Sequence, residues 1–301
     1  MRHHRRAVAA ACAAVLLAWT PPAAAQEGME DVRIRATHVA GNVYMLQGRG
    51  GNIGVSAGED GVLLVDDQFA PLAPKIRAAV DSLAGEGVRY VLNTHWHHDH
   101  TDGNKVFGRE APVVAHRNVR LRLASPQVSG SDTTPALPEA ALPEITFGES
   151  VSIHFNGEEI RVKHFPRGHT DGDAVVFFPE SDVVHMGDHM FARRFPFVDL
   201  GSGGSVQGYT RNVKAVLDSL PDDAAVIPGH GELTDVQGLR SFHAMLVETA
   251  GIVRRRMEEG MTLQEVKDAG LPAKWTSWGQ GFISTSRWLE TVYRSLSREG
   301  S

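Results

Sequence analysis

The sequence predicts an α+β fold in which two half-domains pack sheet against sheet with helices outside. Three observations support this. Short apolar or alternating runs split by glycine occur in two sets, on either side of a Ser-, Thr- and Pro-rich middle. A helical period follows strands in both sets, and metal-binding side chains stand where apolar runs give way to glycine.

In the first half, residues 43–46, 53–57 and 62–65 read as antiparallel strands and hairpins. Residues 71–84 turn helical: Pro71 and Pro74 suit a first turn, and Ile76, Ala79, Val80 and Leu83 recur at helical spacing. A buried strand at 88–92, a second at 113–114 and a short helix at 117–123 follow. Residues 125–143 read as an exposed connection with little regular structure. The second half gives strands at 151–155, 160–165, 174–178 and 183–186, a helix at 206–220, a strand at 225–227, and helices at 235–258, 262–269 and 281–297. No short tandem period is present, which excludes solenoids and propellers.

The strand at 88–92 delivers His95, His97, Asp99 and His100 within six residues. Such groups repel when protonated and desolvate badly when buried, so a cation is the natural compensation, and imidazole with carboxylate suits zinc. Further ligands are supplied by His169 in Gly168-His169-Thr170, Asp188 in Gly187-Asp188, and His230 in Gly229-His230-Gly231.

Residues 1–25 carry Arg2, Arg5 and Arg6, an apolar stretch from Ala7 to Trp19 and Ala23-Ala24-Ala25, the pattern of a cleaved secretory signal. The stretch is too short for a membrane anchor, which needs roughly 20 apolar residues. The expected mature chain is therefore a single domain over 26–301, periplasmic or secreted, without an anchor. The chain's one cysteine, Cys12, lies inside the signal, so disulfides and thiolate ligands are excluded from the remainder. Three of the 30 basic residues also lie there, which leaves the mature chain more acidic than the formal −6 of the whole. That balance speaks against nucleic acid as a partner.

The motifs His95-x-His97-x-Asp99-His100, Gly168-His169-Thr170, Gly187-Asp188 and Gly229-His230-Gly231 resemble the metallo-β-lactamase superfamily, and the likeness spans most of the mature chain. The resemblance implies a four-layer αβ/βα sandwich of two mixed sheets packed face to face. It implies two Zn2+ per chain: His95, His97 and His169 around one, Asp99, His100 and His230 around the other, and Asp188 bridging both. In that scheme a shared hydroxide attacks the substrate, and Asp99 orients it or passes on its proton. Asp66 matches an early Asp of the family that accepts a hydrogen bond from a ligand His or tethers the loop. Its neighbour Asp67 is read as a turn cap, and Thr170 as either a brace for His169 or a cap.

Phe191, Arg193 and His164 are candidates for a substrate pocket beside the metals, suited to an anionic, partly apolar molecule. His38, His116, His154 and His243 read as packing or surface residues, and His98 as facing away. The aromatic tail of Trp275, Trp278, Phe282 and Trp288 reads as core. The leading function is a secreted binuclear zinc hydrolase of a small carbonyl substrate, with a β-lactam favoured. Asp188 departs from β-lactamases, which usually carry Cys or Ser there, and so keeps a lactonase, esterase or thioesterase as the alternative. A non-catalytic periplasmic metal-binding protein is the alternative of another class.

Overall fold

The structure is a computed structural model that describes residues 28–85, 87–129 and 132–299. The expected signal at 1–25 lies outside the described residues. The first half runs β1 (Arg35–Ala40), β2 (Val43–Gln47), β3 (Ile53–Gly58), β4 (Gly61–Val65), α1 (Ala73–Asp81), β5 (Val88–Asn93), α2 (His98–Thr101), α3 (Asn104–Phe107), β6 (Val113–His116), α4 (Arg117–Leu123), a hairpin β7 (Gln127–Ser129) and β8 (Asp132–Thr134), and β9 (Ile145–Phe147). The second runs β10 (Ser150–Phe155), β11 (Glu158–His164), β12 (Ala174–Phe178), β13 (Val183–His185), α5 (Val206–Leu217), β14 (Ala225–Ile227), β15 (Thr234–Asp235), α6 (Val236–Glu258), α7 (Leu263–Ala269) and α8 (Thr285–Glu299).

Two mixed sheets result, ordered β1-β2-β3-β4-β5-β6-β9 and β10-β11-β12-β13-β14-β15. Strands β4, β5, β6 and β9 are parallel, as are β13 and β14, while the other pairs run antiparallel. Alternation along β4 shows why the sheets stack: Leu63 and Val65 pack into the layer between them with Val162, Val176 and Ile227, whereas Val62 and Leu64 pack outward on Ile76 and Val80 of α1. The opposite outer face buries Val175, Val184 and Val226 under Tyr209, Leu239, Phe242 and Trp288. This is the expected α+β sandwich, with helices outside both sheets.

Several expectations change, among them the short strands β9 and β15 and the short helices α2 and α3, which were not foreseen. Strand β1 was not foreseen, because Arg-Ala-Thr-His-Val-Ala lies on a largely exposed sheet edge and carries no apolar period. Residues 125–143 hold the β7–β8 hairpin where irregular chain was expected. The last helix begins at Thr285 rather than 281, preceded by a 3-10 turn at Ala273–Gln280.

Candidate metal centre

Parallel strands β4 and β5 end side by side, and β13 and β14 do the same in the other sheet, so the loops leaving them meet at one edge of the sandwich. There, His95, His97, His169 and Asp188 bring one ligand atom each within 4.8 Å of one another, and Asp99, His100 and His230 form a second such group. The Asp188 carboxylate lies between the two. Its Oδ2 is 3.7 Å from His95 Nε2 and 3.4 Å from His169 Nε2, and its Oδ1 is 3.2 Å from His100 Nε2 and 3.4 Å from His230 Nε2. Asp99 Oδ2 sits 3.3 Å from His230 Nε2.

Four of the five rings, those of His95, His97, His100 and His169, are oriented through their other nitrogen. His100 Nδ1 donates to Asp66 Oδ2 at 2.7 Å, and His95 Nδ1 lies 3.1 Å from Thr94 Oγ1, which itself donates to Asp66 Oδ2 at 2.7 Å. His169 Nδ1 donates to the Phe197 carbonyl at 2.7 Å. His97 Nε2 donates to Asp199 Oδ2 at 3.1 Å, so its Nδ1 faces His169 Nε2 at 2.7 Å. The Tyr209 hydroxyl donates to the Asp188 carbonyl at 2.6 Å. Glycine makes the room: a Cβ on Gly229 would collide with Asp188 Oδ1, and one on Gly51 with the His100 ring.

Burial, followed by the charge of His100, holds His95 well below its ordinary value, and burial brings His169 to about 4; both rings are thus held neutral, the form that can ligate a metal. Burial alone would raise Asp188, but the His230 and His100 rings keep it well below the usual carboxylate range. The buried His95 Nε2 and Asp188 Oδ1 have no hydrogen-bond partner among the described residues. Orphaned ligand atoms converging in an all-nitrogen and oxygen donor set fit a divalent cation such as zinc.

The structure thus gathers all seven expected ligand residues and sets Asp66 against His100. Thr170 caps a turn, its hydroxyl bonded to Asp173. Asp67 is not a simple cap: it is fully buried, and burial, with Asp66 and Asp102 nearby, pushes its carboxyl well above its ordinary value.

A cavity of about 400 Å³ opens on the cluster, floored by His97, Asp99, Asp188 and His230 and walled by Phe191, Phe195 and Phe197. Phe191 belongs to it as expected from the sequence. Two expected pocket residues do not. His164 is stacked on His116, ring centres 3.8 Å apart, with its Nδ1 donating to the Asp173 carbonyl. Arg193, with a left-handed backbone (φ 56°), lines only a neighbouring cavity with Glu232 and Trp278, whereas Arg194 lines both that cavity and the one over the cluster. His98 pairs with Asp102 at 2.9 Å and still borders the cavity, rather than facing wholly away. Sequence reasoning also missed Asp199, Thr94 and Tyr209; only proximity in the fold marks them.

A family model described as the metallo-beta-lactamase superfamily matches residues 37–230. The lactamase-like protein aptB of Emericella nidulans is 27% identical over 189 residues, 60% of this chain and 54% of its own length. A hydroxyacylglutathione hydrolase of Rhodospirillum rubrum is 30% identical over 161 residues, 53% of this chain and 54% of its own. The chain therefore spans about half the length of these relatives. The crystal structure of the DIM-1 metallo-beta-lactamase matches with a TM-score of 0.59 at 20% identity, covering 72% of this chain and 99% of that one.

Proposed function

This chain belongs to the metallo-β-lactamase superfamily, and we propose that it is an exported hydrolase that holds two zinc ions and cleaves a small carbonyl substrate, a β-lactam in the first instance. The observation that carries the reading is the Asp188 carboxylate, with one oxygen toward His95 and His169 and the other toward His100 and His230. In this reading His95, His97 and His169 hold one ion, Asp99, His100 and His230 the other, and Asp188 serves both.

When bound, zinc supplies an acidified water and a Lewis acid for the carbonyl oxygen. The chain supplies the rest. Asp99, partly exposed on the cavity floor, stays ionised: burial would raise it, but His100 and His230 outweigh that. It can accept a proton from attacking water and return it to the leaving group. Asp66, Thr94, Asp199 and the Phe197 carbonyl keep the imidazoles from rotating, and the phenylalanine walls exclude competing water. The leader-like residues 1–25 motivate export; among the described residues no helix is long and apolar enough to cross a membrane.

A second reading, an esterase or thioesterase, is favoured by Asp188 standing where β-lactamases usually carry Cys or Ser, and by the name of the Rhodospirillum relative. Zinc-loaded full-length protein assayed with nitrocefin, a γ-lactone and 4-nitrophenyl acetate, with and without EDTA, separates the readings. Chelator-sensitive nitrocefin cleavage supports the first. Ester or lactone cleavage alone moves the assignment to the second, and two bound zincs without turnover on any substrate refutes a hydrolase.

A further inference from the structure

The family match ends at residue 230, yet the cavity over the cluster is completed by residues far beyond it. Phe282 and Ile283, just before α8, line its outer part. This late segment is fastened to the loop after Asp188: Phe195 N donates to the Trp278 carbonyl at 3.1 Å, and the Phe195 ring stacks on Trp288 with centres 5.7 Å apart and 9° between planes. The aliphatic stem of Arg194 runs beside Gly281, where a Cβ would meet it at 3.4 Å. The Arg287 guanidinium covers the Phe282 ring at 5.1 Å and the Phe197 ring at 5.7 Å.

Two features of this outer half point to a ligand. Phe282 is a large apolar side chain left 75% exposed at the mouth of an aromatic cavity. Arg194 and Arg287 stand beside it with no acidic partner among the described residues, in a chain whose formal charge is −6. The cavity's carboxylates, Asp99 and Asp188, lie on its floor, and at its outer end Arg194 in the lining and Arg287 over the Phe282 ring are guanidiniums without an acidic partner, which favours an incoming anion there. Arg also holds a carboxylate with directed hydrogen bonds.

We propose that this outer half of the cavity, completed by the segment beyond the family match, selects substrates with an apolar, aryl-sized body and an anionic group engaged by Arg194 and Arg287. The proposal rests on the hydrolase reading for the reaction, but its binding arm does not. Specificity then resides in the C-terminal segment, while the metal cluster supplies the chemistry.

The binding arm uses full-length protein titrated with 8-anilinonaphthalene-1-sulfonate and with N-phenyl-1-naphthylamine, the same body without charge, followed by fluorescence. In the double variant Arg194→Gln/Arg287→Gln the sulfonate probe should bind about fivefold more weakly, the scale of an exposed ion pair, and the neutral probe should change much less. Phe282→Ala should weaken both. Equal affinity of wild type and double variant for the sulfonate, or equal loss of both probes, overturns the proposal. In the catalytic arm, the ratio of kcat/KM for mono-4-nitrophenyl adipate to that for 4-nitrophenyl butyrate should fall about fivefold in the double variant, through KM. An unchanged ratio also overturns it. If the probes behave as expected while zinc-loaded wild type cleaves no ester and no β-lactam, the pocket assignment stands and the hydrolase reading falls.

Discussion

His97 donates through Nε2 to the Asp199 carboxylate at 3.1 Å, and that bond decides which of its nitrogens faces the metal cluster. Asp199 is itself fixed by the backbone N–H groups of Gly201 and Ser202, and its own N–H donates to the His169 carbonyl. The Asp199 carboxylate therefore positions the His97 ring, while its backbone ties the loop to the segment that carries His169.

Asp199→Ala should leave the fold intact and weaken zinc affinity about 10- to 100-fold, the usual effect of losing such an orienting partner. Competition with a chromophoric chelator measures it. Wild-type affinity in the variant would show that His97 is oriented by packing alone.

Asp99→Asn should lower turnover about 100-fold or more, since the amide neither accepts a proton nor carries charge. Steady-state kinetics at matched zinc content isolates this from metal loss. Undiminished kcat would remove Asp99 from the chemistry.

Gly229→Ala places a methyl group against Asp188 Oδ1 and the Gly187 carbonyl. Relieving the overlap should cost about 1–3 kcal/mol of stability and displace Asp188, with loss of bound metal. Denaturant unfolding with metal analysis checks both, and an unaltered variant would contradict the tight packing around the carboxylate.

Acid should destabilise the fold through His116. Burial, helped by His164 and Arg117, lowers its ring to about 4, whereas an unfolded histidine titrates near 6.5. Between these values the unfolded chain binds the extra proton, so stability falls as pH drops from about 6.5 to about 4. His116→Gln should flatten that limb of the unfolding curve; an identical slope would show that the ring binds its proton equally in the folded and unfolded chain.

The metal cluster was legible because its motifs are contiguous and stand at the ends of buried strands, where period-two alternation also announced the sheets. Asp199 was not, because Val198-Asp199-Leu200-Gly201 offers only a carboxylate in a Gly-rich loop, eleven positions beyond Asp188. Arg193 failed as a pocket residue because adjacent arginines in an irregular loop carry no period that says which of them reaches the cavity, and here only Arg194 does. His164 sits within five positions of His169, yet β11 ends there and the turn that follows carries the chain away from it. Phe282 read as core, since helical spacing reveals an apolar stripe but not which of its members is left at a cavity mouth.

The most direct test of the account is the zinc content of metal-saturated, dialysed full-length protein, beside that of Asp188→Ala. The account predicts two ions per chain in the wild type and fewer in the variant, because both groups of ligands face one carboxylate. A wild type that retains one ion or none, or a variant that keeps both with native affinity, would contradict it.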